Sequence, residues 1–185
     1  ATLATIVFQT NQNEQHGGQA IPAFDFFMAK GVAKSFRKHL SSFINFYVAM
    51  ENGIQADEKA IRTLIKEYLP SIQSGERERE TLRIALIALQ INIDKEHLAR
   101  IIEKAYQQTR KDTHQAMEGF IHNLNTMHSR GGNQVVFSSI NYGTDTSAEG
   151  RMVIEELLKA TIEGLGTRGE VPVFPVSYTH LTLPT

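Results

Sequence analysis

The sequence predicts a helix-rich α/β fold. Several long stretches carry apolar residues at helical spacing, which is typical of helices that bury one face. Towards the carboxyl end, a run rich in β-branched residues is followed by a predicted helix and then by a second apolar run. This strand–helix–strand order is typical of α/β architecture, in which helices cover a mostly parallel sheet.

The first half of the chain is predicted to be mainly helical. Residues 3–9 form a short apolar run that fits either a strand or the buried end of a helix. Residues 32–47 carry apolar side chains at helical spacing. Asp57 is a predicted N-cap for a helix that ends before Pro70, and the leucines within 82–89 indicate another short helix.

The longest predicted helix begins after the N-cap residue Asp94 and runs over residues 95–128. Its apolar stripe is interrupted by the polar stretch 107–112. We therefore expect a break or bend near Asp112.

The last third of the chain carries the predicted strands. The glycine-containing loop 129–134 leads into the β-rich residues 135–140. Residues 146–149 match a capping box, which predicts a final helix that ends near residues 164–166. Residues 171–175 are expected to begin another strand.

Composition excludes several classes of site and partner. The chain has 185 residues and no cysteine, which rules out disulfides, thiolate metal sites and a thiol nucleophile within it. A formal net charge of -1 gives no basic field that favours nucleic acid. No apolar run approaches the roughly 20 residues that a membrane-spanning helix needs. We expect a cytoplasmic protein without nucleic-acid or membrane partners.

Both ends of the chain are expected to be truncations. The chain starts at Ala1 inside an apolar run and stops at Thr185 without a closing element. Residues 176–185 resemble the peptide obtained by translating a sequencing adapter. We expect these ten residues to be a foreign tail that does not pack as a designed element.

A glycine motif and a group of histidines resemble a dinucleotide site and a metal site, but neither pattern is complete. Residues 164–169 match G-x-G-x-x-G, but a dinucleotide site needs a strand before this motif and a helix after it. We interpret them as a helix C-cap and turn. His97, His114, His122 and His128 lack the spacing of a zinc-protease pair, so we interpret them as solvated or capping residues and predict no metal site.

Two glycine-containing loops, residues 16–19 and 129–134, share a chemical logic. Paired glycines let backbone N–H groups approach a ligand, and the flanking amide and arginine side chains supply directional hydrogen bonds. Each loop also has the interpretation of an ordinary turn, because glycine pairs are common.

The full sequences around these two loops are more specific than their glycine pairs. Residues 9–25, QTNQNEQHGGQAIPAFD, and residues 129–146, SRGGNQVVFSSINYGTDT, resemble signatures of the anaerobic, glycyl-radical ribonucleoside-triphosphate reductases of class III. The resemblance continues through residues 150–154 and 164–166 and covers residues 1–175 in the family's order. It implies that residues 1–175 are part of a catalytic ten-stranded α/β barrel built from two half-barrels.

The resemblance also implies an activity for the parent enzyme. Members reduce ribonucleoside triphosphates to deoxyribonucleoside triphosphates by glycyl and thiyl radical chemistry under anaerobic conditions. The implied cofactors and partners are a glycyl radical, a radical-SAM activating enzyme, a structural zinc held by cysteines, ATP and dNTP effectors, a formate or thiol reductant and a second copy in a homodimer. The family's cysteines and radical glycine are not in this chain, so we assign no catalytic residue or cofactor to it and expect the fragment alone to be inactive.

What remains is nucleotide recognition. In these reductases an effector at the dimer interface selects the substrate, and a loop after an interface helix transmits the choice. The order of helix, loop 129–134 and strand resembles that arrangement, so we expect Arg130 to influence substrate preference. The candidate substrate- or effector-binding residues are His16, Gly17, Gly18, Gln19, Ser129, Arg130, Gly131, Gly132, Asn133, Gln134, Ser138, Ser139 and Asn141.

Two alternatives remain open at this point. One is a barrel fragment of another glycyl-radical enzyme, such as a relative of formate acetyltransferase. The other is a non-enzymatic helical module that binds nucleotides or a partner protein. The two strings quoted above favour the reductase over both.

Overall fold

The computed structural model describes residues 2–13, 18–52, 57–126, 128–129, 134–135 and 137–179. The helices within these ranges are α1 Thr2–Asn13, α2 Phe24–Asn52, α3 Glu58–Tyr68, α4 Glu76–Ala88, α5 Lys95–Thr126 and α6 Ala148–Glu163. The strands are β1 Gln19–Ile21, β2 His128–Ser129, β3 Gln134–Val135, β4 Ser138–Tyr142 and β5 Val176–Thr179. The predicted helix-rich α/β class is confirmed, and the short apolar run at residues 3–9 is helical.

The chain divides into two compact units, one of residues 1–30 and 112–185 and the other of residues 31–111. Among its described residues, the second unit contains helices, turns and loops but no strand. In it, α2 buries one side chain about every turn, as its spacing predicts, namely Val32, Phe36, Leu40, Ile44 and Val48.

Helix α3 begins where the sequence predicts. The Asp57 side chain accepts hydrogen bonds from the backbone N–H groups of Lys59, at 2.9 Å, and Ala60, at 3.3 Å. These bonds satisfy donors that have no partner in the first turn of a helix. The helix ends at Tyr68, two residues before Pro70, and α3 packs against α4.

Helix α5 runs without interruption from Lys95 to Thr126, so a break near Asp112 does not occur, and the alternative of a bend stays a prediction. It begins after Asp94, whose carboxylate accepts the His97 backbone N–H at 2.8 Å. The apolar stripe has no gap because buried threonines continue it at four-residue spacing, in the series Ala105, Thr109, Thr113 and Met117. The buried Thr109 hydroxyl donates to the Ala105 carbonyl at 2.7 Å, so its polar group is satisfied inside the helix.

The first unit holds a three-stranded parallel sheet in the order β1-β4-β5. Helix α6 connects β4 to β5, so a strand, a helix and a strand follow one another, but the second strand lies at Val176–Thr179 and not at the predicted residues 171–175. Side chains of the central strand β4 alternate, with Ser138, Ile140 and Tyr142 buried. The predicted β-rich run 135–140 is divided between two sheets, because Gln134 and Val135 pair instead with β2 in an antiparallel hairpin.

Helix α6 starts one residue later than the capping-box pattern predicts. Ser147, rather than Thr146, is the N-cap, and its hydroxyl accepts the Gly150 backbone N–H at 3.0 Å. At Gly150 a Cβ atom would lie 2.6 Å from Cγ of Asp145, so the glycine lets the helix start close to the preceding turn.

The G-x-G-x-x-G segment is a helix end and turn, as predicted. Gly164 caps α6 with a φ of 81°, a backbone conformation that favours glycine. Gly166 and Gly169 both have a φ of 62°. Leu165 and Glu170, which flank this turn, pair with each other in an isolated antiparallel bridge. Helix α6, and not a strand, directly precedes this motif, so the arrangement that a dinucleotide site needs is not present here.

Of residues 176–185, which we expect not to pack as a designed element, Val176–Thr179 pair with the sheet through their backbone and keep most of their side chains exposed. These residues form β5 and pair in parallel with β4, from Ser139 opposite Val176 to Tyr142 opposite Thr179. Strand pairing uses backbone groups that any non-proline sequence supplies, and the Tyr178 side chain stays 56% exposed. Residues 180–185 lie outside the described residues, and the foreign origin of this segment stays a prediction.

Residues 171–175 do not begin a strand but lead into β5. Among the described residues, no helix is both long and apolar enough to cross a membrane.

Candidate functional site

The sheet brings together two of the segments that the sequence singles out. In the parallel register of β1 and β4, Gln19 lies opposite Ser138 and Ala20 opposite Ser139. The Gln19 backbone N–H donates to the Phe137 carbonyl at 3.0 Å, and the Ser139 hydroxyl contacts the Gln19 carbonyl at 3.4 Å. Residues 119 positions apart in the chain, Gln19 and Ser138, are therefore neighbours on adjacent strands.

Gln19 is held by its amide nitrogen. Its Nε2 atom donates to the Phe8 carbonyl of α1 at 2.9 Å, and this contact fixes the side chain between α1 and the sheet. The other end of the amide, Oε1, is buried without a hydrogen-bond partner among the described residues. The Oε1 atom of Gln19 is therefore a buried acceptor that can receive a hydrogen bond from a ligand.

Ser138 has the same property. It is fully buried at the start of β4, and its hydroxyl oxygen has no hydrogen-bond partner among the described residues. Buried polar atoms in native proteins nearly always have a partner, and each unpartnered one costs about 1–3 kcal/mol. Two such oxygens on residues paired across the sheet indicate a place where a polar ligand group fits.

A cavity of about 610 Å³ adjoins Gln19 in this unit. Its volume lies within the usual range for small-molecule pockets. The lining is mostly apolar, with amide groups from two residues, and consists of Ala4, Val7, Phe8, Asn11, Gly18, Gln19, Ala20, Ile21, Phe27 and Met28.

Gly18 lies at the mouth of β1 and leaves no room for a side chain. A Cβ atom at this position would lie 2.8 Å from Cδ1 of Phe137. The Phe137 ring in turn contacts the Phe174 ring edge-on, with ring centroids 5.4 Å apart. A glycine here lets the backbone pass close to the aromatic pair, which is a packing reason for this residue type that the sequence did not reveal.

Asp25 is a buried carboxylate that sequence reasoning did not assign. It lies in the first turn of α2 and accepts hydrogen bonds from the backbone N–H groups of Gly143, at 2.8 Å, and Asp145, at 2.9 Å. The Thr144 hydroxyl is 3.4 Å away. Burial raises the pKa of Asp25, but the hydrogen bonds from Asp145 and Gly143 outweigh burial and hold that pKa below its usual value.

Asp25 and the predicted site residues Gln19 and Ser138 lie at opposite ends of the parallel strands. Asp25 ties the turn after β4 to the start of α2, at the carboxyl end of the strands. Gln19 and Ser138 begin their strands, so they lie at the amino end. Open α/β sheets usually bind ligands beyond the carboxyl ends of their strands, and the predicted residues depart from that rule.

The remaining predicted residues fall into two groups. Asn141 is half-buried on β4, where it pairs with Tyr178 of β5. Ser129 and Gln134 are paired across the β2–β3 hairpin. The predicted site residues that lie outside the described residues are His16, Gly17, Arg130, Gly131, Gly132 and Asn133.

The predicted role of the histidines, as solvated or capping residues, fits His97 and His122 but not His114. His97 follows the N-cap and its ring hydrogen-bonds Asp94 at 2.6 Å, while His122 is exposed. The side chain of His128 is not described. His114 departs from the prediction, because its ring lies between carboxylates of α6 with 22% of the side chain exposed.

The fold and this polar site define a class of protein. It is an α/β protein in which the two strings quoted above, residues 9–25 and 129–146, contribute adjacent parallel strands beside a cavity. Comparison with known families identifies that class further. The chain belongs to the anaerobic ribonucleoside-triphosphate reductase family, whose sequence model matches residues 1–183.

Two curated relatives carry the same description. The anaerobic ribonucleoside-triphosphate reductase of Enterobacteria phage T4 is 35% identical over 82 residues, which is 44% of this chain and 13% of the relative. That of Escherichia coli strain K12 is 34% identical over 71 residues, which is 38% of this chain and 10% of the relative. The matched segments thus span about a tenth of each relative's length, and the family match selects the reductase among the alternatives that the sequence left open.

Proposed function

We propose that this chain is part of an enzyme that reduces ribonucleoside triphosphates to deoxyribonucleoside triphosphates for DNA synthesis. Membership of the reductase family supports this proposal. In it, the parallel strands β1, β4 and β5 belong to a larger catalytic barrel of the glycyl-radical type. The chemistry is radical reduction under anaerobic conditions, in the cytoplasm.

In this proposal the chain contributes nucleotide recognition rather than the radical step. A thiyl radical needs a sulfur, and the chain has no cysteine. The glycyl radical, its radical-SAM activating enzyme, the structural zinc, the formate or thiol reductant and the second subunit of the homodimer all act through other parts of the parent enzyme. The fragment alone therefore forms no deoxynucleotide.

The recognition surface that we propose is centred on the start of β1 and β4, with Gly18, Gln19 and Ser138, while Ser139 and Asn141 lie on the opposite face of β4. The observation that carries it is the pair of buried oxygens without a hydrogen-bond partner among the described residues, one on Gln19 and one on Ser138, which are paired residues of β1 and β4. A ribose hydroxyl donates and accepts hydrogen bonds, and it satisfies an amide oxygen and a serine hydroxyl together.

The loop around Arg130 has a separate role in this proposal. The pairing of Ser129 with Gln134 brings the two ends of the loop together. An arginine offers a planar fork of donors suited to a phosphate or a base edge. We infer that His16, Gly17 and residues 130–133 complete the substrate and effector contacts, with ATP or a deoxynucleoside triphosphate as effector.

The role of Gln19 can be tested in the intact reductase that contains this chain. Replacing Gln19 with Ala removes the buried acceptor, and we expect kcat/KM for the ribonucleotide to fall about 10-fold or more, as for a lost hydrogen bond to a buried polar group. The glycyl-radical yield, measured by electron paramagnetic resonance, should stay normal.

The matched control is Gln73→Ala, since Gln73 is an exposed glutamine in the other unit. This change should leave both readouts at the wild-type value. If Gln19→Ala turned over its substrate normally, Gln19 would be a structural residue only and the proposed surface would be wrong.

A further inference from the structure

His114 lies among three carboxylates in the first unit. Its Nδ1 atom is 3.0 Å from Oε2 of Glu156, and its Nε2 atom is 3.0 Å from Oε2 of Glu163. Oε1 of Glu118, one helical turn further along α5, is 3.7 Å from the same Nε2. The cluster joins the middle of α5 to the second half of α6.

Glu156 differs from the other two carboxylates because it is almost completely buried, with 3% of its surface exposed. Its Oε2 atom hydrogen-bonds the Nδ1 atom of His114. Its Oε1 atom accepts a hydrogen bond from Nζ of Lys159 at 3.1 Å. A carboxylate held at both oxygens fixes the orientation and tautomer of the imidazole, with the proton on Nδ1. The other ring nitrogen, Nε2, then points towards Glu118 and Glu163.

That arrangement brings three electron-pair donors together. A neutral imidazole Nε2 and two carboxylate oxygens repel one another unless a proton or a metal cation lies between them. Ligand atoms in a tetrahedral site with bonds near 2.1 Å are about 3.4 Å apart, and the separations of 3.0 and 3.7 Å from Nε2 fall on either side of that value. The ligand atoms of His114, Glu118 and Glu163 all lie within 4.8 Å of one another.

We propose that His114, Glu118 and Glu163 bind a divalent transition-metal ion, with Zn²⁺ as the best-fitting member of the class. One imidazole and two carboxylates are the ligand types of an open zinc site, in which water takes the fourth position. Glu118 and Glu163 are 52% and 58% exposed, which leaves the solvent side accessible. Glu156 is the positioning residue behind the imidazole.

The site contains no cysteine, and it is separate from the cysteine-held zinc that the resemblance implies for the parent enzyme. A bound ion would fasten α6 to α5 on the side of the helices that carries these residues. Because an ion that binds only the folded state stabilises it, the melting temperature of the chain should rise with Zn²⁺ concentration.

The test uses the 185-residue chain, stripped with a chelator and titrated with Zn²⁺ in a calorimeter. His114→Ala, Glu118→Gln and Glu163→Gln should each weaken Zn²⁺ binding at least about 10-fold, and Glu156→Gln should weaken it roughly 10- to 100-fold, as outer-shell carboxylates do. Glu155→Gln is the matched control, because Glu155 pairs with Lys159 on the same helix. Circular dichroism verifies that each variant keeps its helical content.

Nitrogen NMR of the histidine rings provides a readout that loss of packing would not mimic. Zn²⁺ should shift the His114 Nε2 resonance while Nδ1 stays protonated, and Glu156→Gln should disturb that tautomer. The proposal is overturned if Zn²⁺ binds wild type and His114→Ala equally. It is also overturned if both His114 nitrogens stay protonated at saturating Zn²⁺, which would show an imidazolium ion pair only.

Discussion

Asp25 shows how a single buried carboxylate organises one end of the sheet. Its Oδ2 atom accepts hydrogen bonds from two backbone N–H groups of the turn after β4, those of Gly143 and Asp145. Hydrogen bonds that end on a charged group are about twice as strong as neutral ones. The turn that leads into α6 is therefore fixed by a residue from a different element.

We predict that Asp25→Asn lowers the free energy of unfolding at pH 7 by about 1–3 kcal/mol, the usual range for charged hydrogen bonds. The folded-state pKa of Asp25 lies below its usual 3.8, so the ionised group stabilises the fold above pH 3.8. This stabilisation is lost as the pH falls from 3.8 through the folded-state pKa.

The measurement is urea unfolding of both proteins from pH 7 to pH 3. The difference between wild type and Asp25→Asn should shrink towards the acid end. Glu103→Gln, an exposed change on α5, serves as control and should give no such trend. A difference that stayed constant with pH would show that the charge of Asp25 does not matter.

At the scale of elements, α5 is joined to the segment before β5 by one amide. The side-chain oxygen Oδ1 of Asn125 accepts hydrogen bonds from the backbone N–H groups of Val173, at 2.9 Å, and Phe174, at 3.0 Å. Its amino group donates to the Ile121 carbonyl at 2.7 Å and to the Phe174 carbonyl at 2.6 Å. All hydrogen-bonding positions of this amide are used, and no sequence pattern marked it.

We predict that Asn125→Ala releases this segment and weakens the attachment of β5. Loss of the side chain leaves several backbone groups of residues 173–174 without partners, and the unfolding free energy should fall by about 1–3 kcal/mol. Hydrogen exchange of the amides in β5 should speed up more than that of the amides in α3. Asn123→Ala, two residues away on α5, is the control and should change neither rate; equal protection of β5 in both variants would contradict the prediction.

At the scale of the whole molecule, local signals in the sequence were the reliable ones. Asp57 and Asp94 were predicted as N-caps because capping depends on a few neighbouring residues, and both cap helices here. The break near Asp112 was wrong because threonine is polar in a hydrophobicity pattern yet fits a buried helix face once its hydroxyl bonds the helix backbone.

Contacts between distant residues could not be read from the sequence. Gln19 and Ser138 were each predicted as site residues, but their adjacency depends on the register of β1 against β4. Asp25 and His114 were missed for the same reason, since their partners lie 118 and 42 residues away. A single sequence carries no record of such pairings.

The central claim is that Gln19 and Ser138 contact one ligand together, and a double-mutant cycle tests it most directly. Gln19→Ala, Ser138→Ala and the double variant are made in the intact reductase, and kcat/KM is measured for one ribonucleoside triphosphate. Residues that share a ligand couple, so the double variant should lose much less than the product of the two single losses. In the isolated chain Ser138→Ala should not reduce stability, because it removes a buried hydroxyl without a partner among the described residues. Turnover that is unaffected by both single changes would contradict the account.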